Sequence, residues 1–103
     1  MEKWNKPYYD LAEVKAVVAD PKSEPFTLTA ILGGAELGLT PEDMREVILA
    51  LSPNDFHKSM TTYADNRVWQ DVYHGMTQHG DVVYIKITGY LDGRPPVIQF
   101  KAK

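Results

Sequence analysis

Apolar positions divide this chain into a helical half and a β half. Asp10 is followed by Leu11, Val14, Val17 and Val18, the 3, 4, 7 spacing of an amphipathic helix. That spacing predicts a helix over residues 10–19, with Asp10 as its N-cap and Asp20-Pro21 as its stop. Phe26-Thr27-Leu28-Thr29 fits a short edge strand or the entry to a helix through Ala30, Ile31 and Leu32, and pattern does not separate the two. Thr40-Pro41-Glu42-Asp43 is a strong helix start: Thr caps, Pro fits the first helical position, and the carboxylates favour the positive end of the helix dipole. Met44, Val47, Ile48 and Leu51 then make one stripe, and the helix is predicted to end near Leu51, before the turn Ser52-Pro53-Asn54.

From Asp55 onward aromatic and β-branched residues alternate with polar ones, predicting strands at 55–62, 67–74, 81–90 and 96–101. The breaks fall at Ala64-Asp65-Asn66, between His74-Gly75 and His79-Gly80, and at Leu91-Asp92-Gly93-Arg94-Pro95. Each connection is too short for a parallel crossover, so adjacent strands should pair antiparallel. The expectation is an α+β fold, with N-terminal helices packed on a C-terminal antiparallel sheet in one domain over residues 1–103. No repeat, low-complexity run or linker interrupts it.

Composition adds constraints. The 103 residues are 44% hydrophobic and 24% charged, ordinary globular usage. Without cysteine there is neither a disulfide framework nor a thiolate metal site, and the chain suits a reducing cytoplasm. The start is polar and the apolar runs are short, so neither a signal peptide nor a membrane span is expected. A net charge of −3 argues at first against nucleic acid, but the charge is uneven. Residues 1–52 carry five Lys/Arg and nine Asp/Glu, residues 53–103 six and five, and all three histidines fall in the second part.

Period-two alternation splits each predicted strand into two faces. Val83, Ile85 and Ile87, with Ile98 and Phe100, should pack under the helices, leaving Tyr84, Lys86, Thr88, Gln99 and Lys101 on the opposite face. Lys58 sits between Phe56 and Met60, and Gln70 between Val68 and Val72, so a polar residue twice interrupts an apolar face. Singly, each has an ordinary reading: a snorkelling lysine, a satisfied amide, a surface phenol. Together, Lys58, Gln70, Tyr84 and Lys101 fall one per strand on a small sheet. Two lysines, an amide and a phenol suit a phosphodiester, and Phe56, Trp69 and Tyr73 are candidates to stack on unpaired bases. RNA fits better than DNA, because its own 2′-hydroxyl can attack the adjacent phosphate without a metal. His57, His74 and His79 lack close helical spacing with a carboxylate, so no zinc site is expected; Gly33-Gly34 has no phosphate-loop fingerprint around it.

The run Leu51-Ser52-Pro53-Asn54-Asp55-Phe56-His57-Lys58-Ser59-Met60-Thr61-Thr62-Tyr63, with Trp69-Gln70-Asp71-Val72-Tyr73 and Val83-Tyr84-Ile85-Lys86-Ile87-Thr88, closely resembles the motility quorum-sensing regulator toxins, the MqsR family. The resemblance runs the length of the chain. It implies a cytoplasmic mRNA interferase of a type II toxin–antitoxin pair with a RelE-like fold, cutting single-stranded messages at short GC-containing triplets, GCU being favoured. It assigns the catalytic positions to Lys58, Gln70, Tyr84 and Lys101; the candidate substrate contacts on this chain are Phe56, His57, Met60, Trp69, Tyr73 and Lys86. It implies no cofactor or metal on this chain, and as partner a zinc-binding helix-turn-helix antitoxin through which alone DNA would be reached. His57 stands where a tyrosine is familiar, His74-Gly75 replaces an Arg-Pro pair, and the Leu91 to Pro96 turn is longer.

The expected reaction is attack of the 2′-hydroxyl on its own phosphate, giving a 2′,3′-cyclic phosphate and a free 5′-hydroxyl. Lys58 and Lys101 would stabilise the developing charge, Gln70 would fix the scissile group and Tyr84 would handle a proton. Unperturbed Lys and Tyr titrate near pH 10, so His57 and His74 are candidate bases. Strict alternation puts His57 on the face opposite Phe56, Lys58 and Met60, which favours Tyr84. Two rival classes remain: a toxin that poisons an enzyme through a protein interface, and a catalytically silent RNA-binding module.

Overall fold

The computed structural model describes residues 3–91 and 96–103. Its elements run β1 (Lys3–Trp4), α1 (Leu11–Ala19), α2 (Leu28–Glu36), α3 (Pro41–Leu49), β2 (Phe56–Thr61), β3 (Trp69–Met76), β4 (Val82–Thr88) and β5 (Val97–Ala102). The five strands lie in sequence order, each antiparallel to its neighbour. This is the α+β arrangement that the patterning predicts. Most of the break at Leu91 to Pro95, residues 92–95, lies outside the described residues.

Local chemistry sets the helix boundaries. The Asp10 carboxylate accepts from Ala12 N–H at 2.8 Å, so α1 begins one residue after its cap. Both readings of residues 26–29 hold in part: Phe26 makes a parallel bridge to Ile98, and Thr27 then caps α2 by accepting from Ala30 N–H. Thr40 and Asp43 form a reciprocal capping box on α3. That helix stops at Leu49, two residues short of expectation, because the chain turns through Ala50 into a single 3₁₀ turn at Pro53–Asp55. Leu51 stays buried nonetheless.

Val14, Val18, Ala30, Met44, Val47 and Ile48 from the helices close over Val83, Ile85, Ile87, Ile98 and Phe100 from the sheet. The helices thus cover one sheet face and leave the other open. Gly33 lets α2 lie directly on β5, since a Cβ there would meet the Phe100 carbonyl oxygen at 2.6 Å. The Gly33-Gly34 pair is therefore a packing device, with Gly34 against the Met44 side chain.

The aromatic expectation on β3 is corrected here. Trp69, Asp71 and Tyr73 face the helical side and are buried. Trp69 stacks on Tyr8, with ring centroids 5.3 Å apart, and Tyr73 lies in the core. Asp71, fully buried, accepts from the backbone N–H groups of Tyr8 (3.0 Å) and Tyr9 (2.8 Å), binding the N-terminal segment over the sheet. The Tyr9 hydroxyl donates to the Trp69 carbonyl and accepts from Gly89 N–H, both at 2.7 Å.

Burial, with the nearby Asp71 and Asp10 charges, pushes the Tyr73 phenol up to about 12, and burial raises Tyr9 in the same direction. Below the ordinary phenol value, about 10, native and unfolded chains are both neutral and this contribution to stability is complete. Above it the unfolded chain releases protons first, so stability should fall as pH rises from there towards about 12. Thermal melts stepped across that window should show a declining Tm, and Tyr73→Phe should flatten the decline. A Tm independent of pH there would contradict the assignment.

Candidate active site on the open sheet face

Register places the open-face side chains in rows across the sheet. Lys58 on β2 pairs with Val72 on β3, Val72 with Lys86 on β4, and Lys86 with Gln99 on β5. One pleat away, Met60 pairs with Gln70 and Gln70 with Thr88. On the other side, His74 pairs with Tyr84 and Tyr84 with Lys101. Neighbouring strands lie roughly 4.8 Å apart, so directly opposed side chains such as Tyr84 and Lys101 can act on one group.

These rows line a cavity of about 490 Å³ that brings together Lys58, Gln70, Tyr84, Lys86, Lys101, Met60 and His57. Val72, Thr62 and Tyr63 add to its wall, and among the described residues no Asp or Glu lines it. Among the described residues none of the three lysines has a carboxylate within ion-pair distance; the surface pair Asp65–Arg67 lies outside this lining. The result is a concentration of positive charge against a partly apolar floor in a protein of net charge −3. The Gln70 amide is fixed by donation from Nε2 to the Thr88 hydroxyl at 2.9 Å.

A β-bulge alters the face assignment on β2. Phe56 pairs with Tyr73 and Lys58 with Val72, so one extra residue is inserted between them. Phe56 consequently turns to the core, where it meets Tyr73 edge-on with centroids 5.5 Å apart. His57 turns to the open face, where it stacks on His74 at 4.4 Å; His74 in turn meets the edge of Tyr84 at 5.0 Å. The expectation that Phe56 shares a face with Lys58 while His57 points away is thus reversed.

With Phe56, Trp69 and Tyr73 facing inward, the exposed aromatic beside the lysines is Tyr63, 92% exposed at the pocket wall. It sits on a turn held by hydrogen bonds between Thr62 and Asp65. Sequence reasoning passed over it because it follows the predicted strand. The sequence marks His74 as a titratable residue, and the structure adds its setting: its Nε2 is buried without a hydrogen-bond partner, and burial, His57 and Lys103 all hold its imidazole below the ordinary histidine value.

An open antiparallel face carrying a cationic pocket, backed by three short helices, defines a small α+β protein equipped to hold a polyanion. Comparison with known proteins makes the class particular. The family described as "Motility quorum-sensing regulator, toxin of MqsA" matches residues 6–102. The mRNA interferase toxin MqsR of Escherichia coli (strain K12) is 43% identical over 103 residues, spanning all of both chains. The chain belongs to this toxin family.

Proposed function

We propose that this toxin is an endoribonuclease that cuts single-stranded messenger RNA in the pocket between Lys58 and Lys101, and that translation stops as a consequence. The observation that carries the reading is the meeting of Lys58, Gln70, Tyr84 and Lys101, from four successive strands, in one pocket that no described carboxylate lines. The name of the Escherichia coli relative, an mRNA interferase toxin, supports the substrate.

The 2′-oxygen forms a bond to phosphorus as the bond from phosphorus to the 5′-oxygen breaks, leaving a 2′,3′-cyclic phosphate and a 5′-hydroxyl. Charge grows on the non-bridging oxygens during this exchange. Lys58 and Lys101 offset it, Gln70 orients the phosphate, and Tyr84 handles a proton. Lys86 holds a neighbouring phosphate. Met60 offers an apolar contact to a base, and Tyr63 offers a stacking surface. The attacking group belongs to the substrate, so a metal-independent reaction is open to the site. By resemblance the preferred sites are short GC-containing triplets, GCU first among those to test. The family description implies the antitoxin partner MqsA, and we propose that it is a zinc-binding helix-turn-helix protein.

Purified protein incubated with a defined messenger RNA in excess chelator is expected to give discrete fragments with 2′,3′-cyclic phosphate and 5′-hydroxyl ends. Intact RNA, bound or unbound, would support the silent or protein-poisoning classes instead. End mapping reads the triplet directly.

A further inference from the structure

Tyr84 can handle one proton of the reaction, and the 2′-hydroxyl proton and the 5′-oxygen each need a partner. Lysine ammonium groups cannot accept a proton, and phenols ordinarily ionise near pH 10. The β2 bulge puts the missing chemistry into the pocket. Without it His57 would face the core side; with it, the exposed His57 ring lines the same cavity as Lys58, Tyr84 and Lys101. Histidine is the only side-chain type in that lining whose ordinary titration range is near neutrality.

Resting on the ribonuclease reading, we propose that His57 is the general base that takes the 2′-hydroxyl proton, with His74 as the positioning residue beneath it. The proton passes from the 2′-oxygen to an imidazole nitrogen of His57 as the oxygen bonds to phosphorus. The departing 5′-oxygen takes a proton from the Tyr84 phenol, and exchange with water afterwards returns both groups to their starting states. No co-reactant is needed.

The surroundings support this division of labour. The titratable groups that line the cavity with His57 are Lys58, Tyr63, Tyr84, Lys86 and Lys101, with no carboxylate in that lining among the described residues, and Tyr84 and Lys103 lie near His74. Burial, with His57 and Lys103 nearby, holds the His74 imidazole below the ordinary histidine value, which favours its neutral form. His74 is half-buried with its Nε2 unpartnered, which leaves a protonated ring there unsupported. It therefore serves as a neutral plate, fixing the plane of His57 by stacking at 4.4 Å.

The test is a pH–rate profile for single-turnover cleavage of a short defined RNA. The wild-type rate should rise with unit slope through the imidazole range and then level off. His57→Gln should slow cleavage about 100-fold at neutral pH and abolish that rising limb. Free imidazole in the buffer should restore part of the rate to His57→Ala, a response that a misfolded variant could not give. His74→Gln should keep the rising limb but lower its plateau with little change in Tm, since the ring that fixes the plane of His57 has gone. A His57→Gln enzyme with the wild-type rate and profile would overturn the proposal and return the proton to Tyr84. Wild-type protein that cuts nothing would instead overturn the ribonuclease reading on which it rests.

Discussion

Replacing Lys58 with alanine is expected to slow RNA cleavage by about 100- to 1000-fold, the usual cost of removing one preorganised group from a site of developing charge. Lys58 is half-buried at the pocket edge, opposite the buried Val72 and two residues from Met60. Apolar neighbours on one side lower the local dielectric, so its charge acts more strongly on a phosphate there than in open water. The ground-state phosphodiester carries one negative charge and the transition state more, so the loss should appear chiefly in the single-turnover rate, with a smaller change in binding. Lys101 is more exposed, and its alanine variant should lose less. No core contact depends on Lys58, so Tm should stay close to wild type. If both single variants cut RNA at the wild-type rate with unchanged Tm, the pocket is not where the chemistry occurs.

The site residues that could be read from the sequence are those on regular strand. In β4, alternation separates buried Val83, Ile85 and Ile87 from half-buried Tyr84 and Lys86 without ambiguity, because every inward residue is apolar. Reading β2 fails for two physical reasons. Its inward residues after the bulge are Ser59 and Thr61, fully buried yet polar, so nothing in the residue types marks the core face. The bulge then inserts one residue and reverses every assignment before it. Phe56 and His57 exchanged faces for that reason alone, and the exchange brings an imidazole into the pocket. The two-residue β1 was also invisible, since two positions carry no period.

The Trp69 and Tyr73 assignments failed for a different reason: the residue between them is an aspartate. A face reading Trp, Asp, Tyr carries an acidic residue at its centre, so the residue types do not mark it as the core face. The structure resolves the conflict by giving the buried carboxylate two backbone donors from a segment more than sixty residues away in sequence. No local pattern encodes such a partner. The charge that misleads a sequence reading is the one that fastens residues 8 and 9 across the sheet.

Asp71→Asn is therefore expected to destabilise the fold by about 2–4 kcal/mol, although it changes neither the size nor the shape of the side chain. The carboxylate presents an acceptor oxygen to each of the two N–H groups, Oδ1 to Tyr8 and Oδ2 to Tyr9. An asparagine presents only one, and its amide nitrogen meets the other N–H donor to donor. That N–H and the amide, which is fully buried at residue 71, are then left facing each other without an acceptor. Loosening Tyr9 also disturbs its hydroxyl contacts to Trp69 and Gly89, which join the ends of β3 and β4. For a chain of this size the Tm should drop by roughly 10 °C or more. Asp65→Asn, which breaks the exposed pair with Arg67, supplies the control and should leave Tm almost unchanged. Because Asp71 faces away from the pocket, the variant should still cut RNA at temperatures where it remains folded. A loss of cleavage with Tm intact would mean that Asp71 reaches the chemistry through its β3 neighbours Gln70 and Val72 rather than through stability.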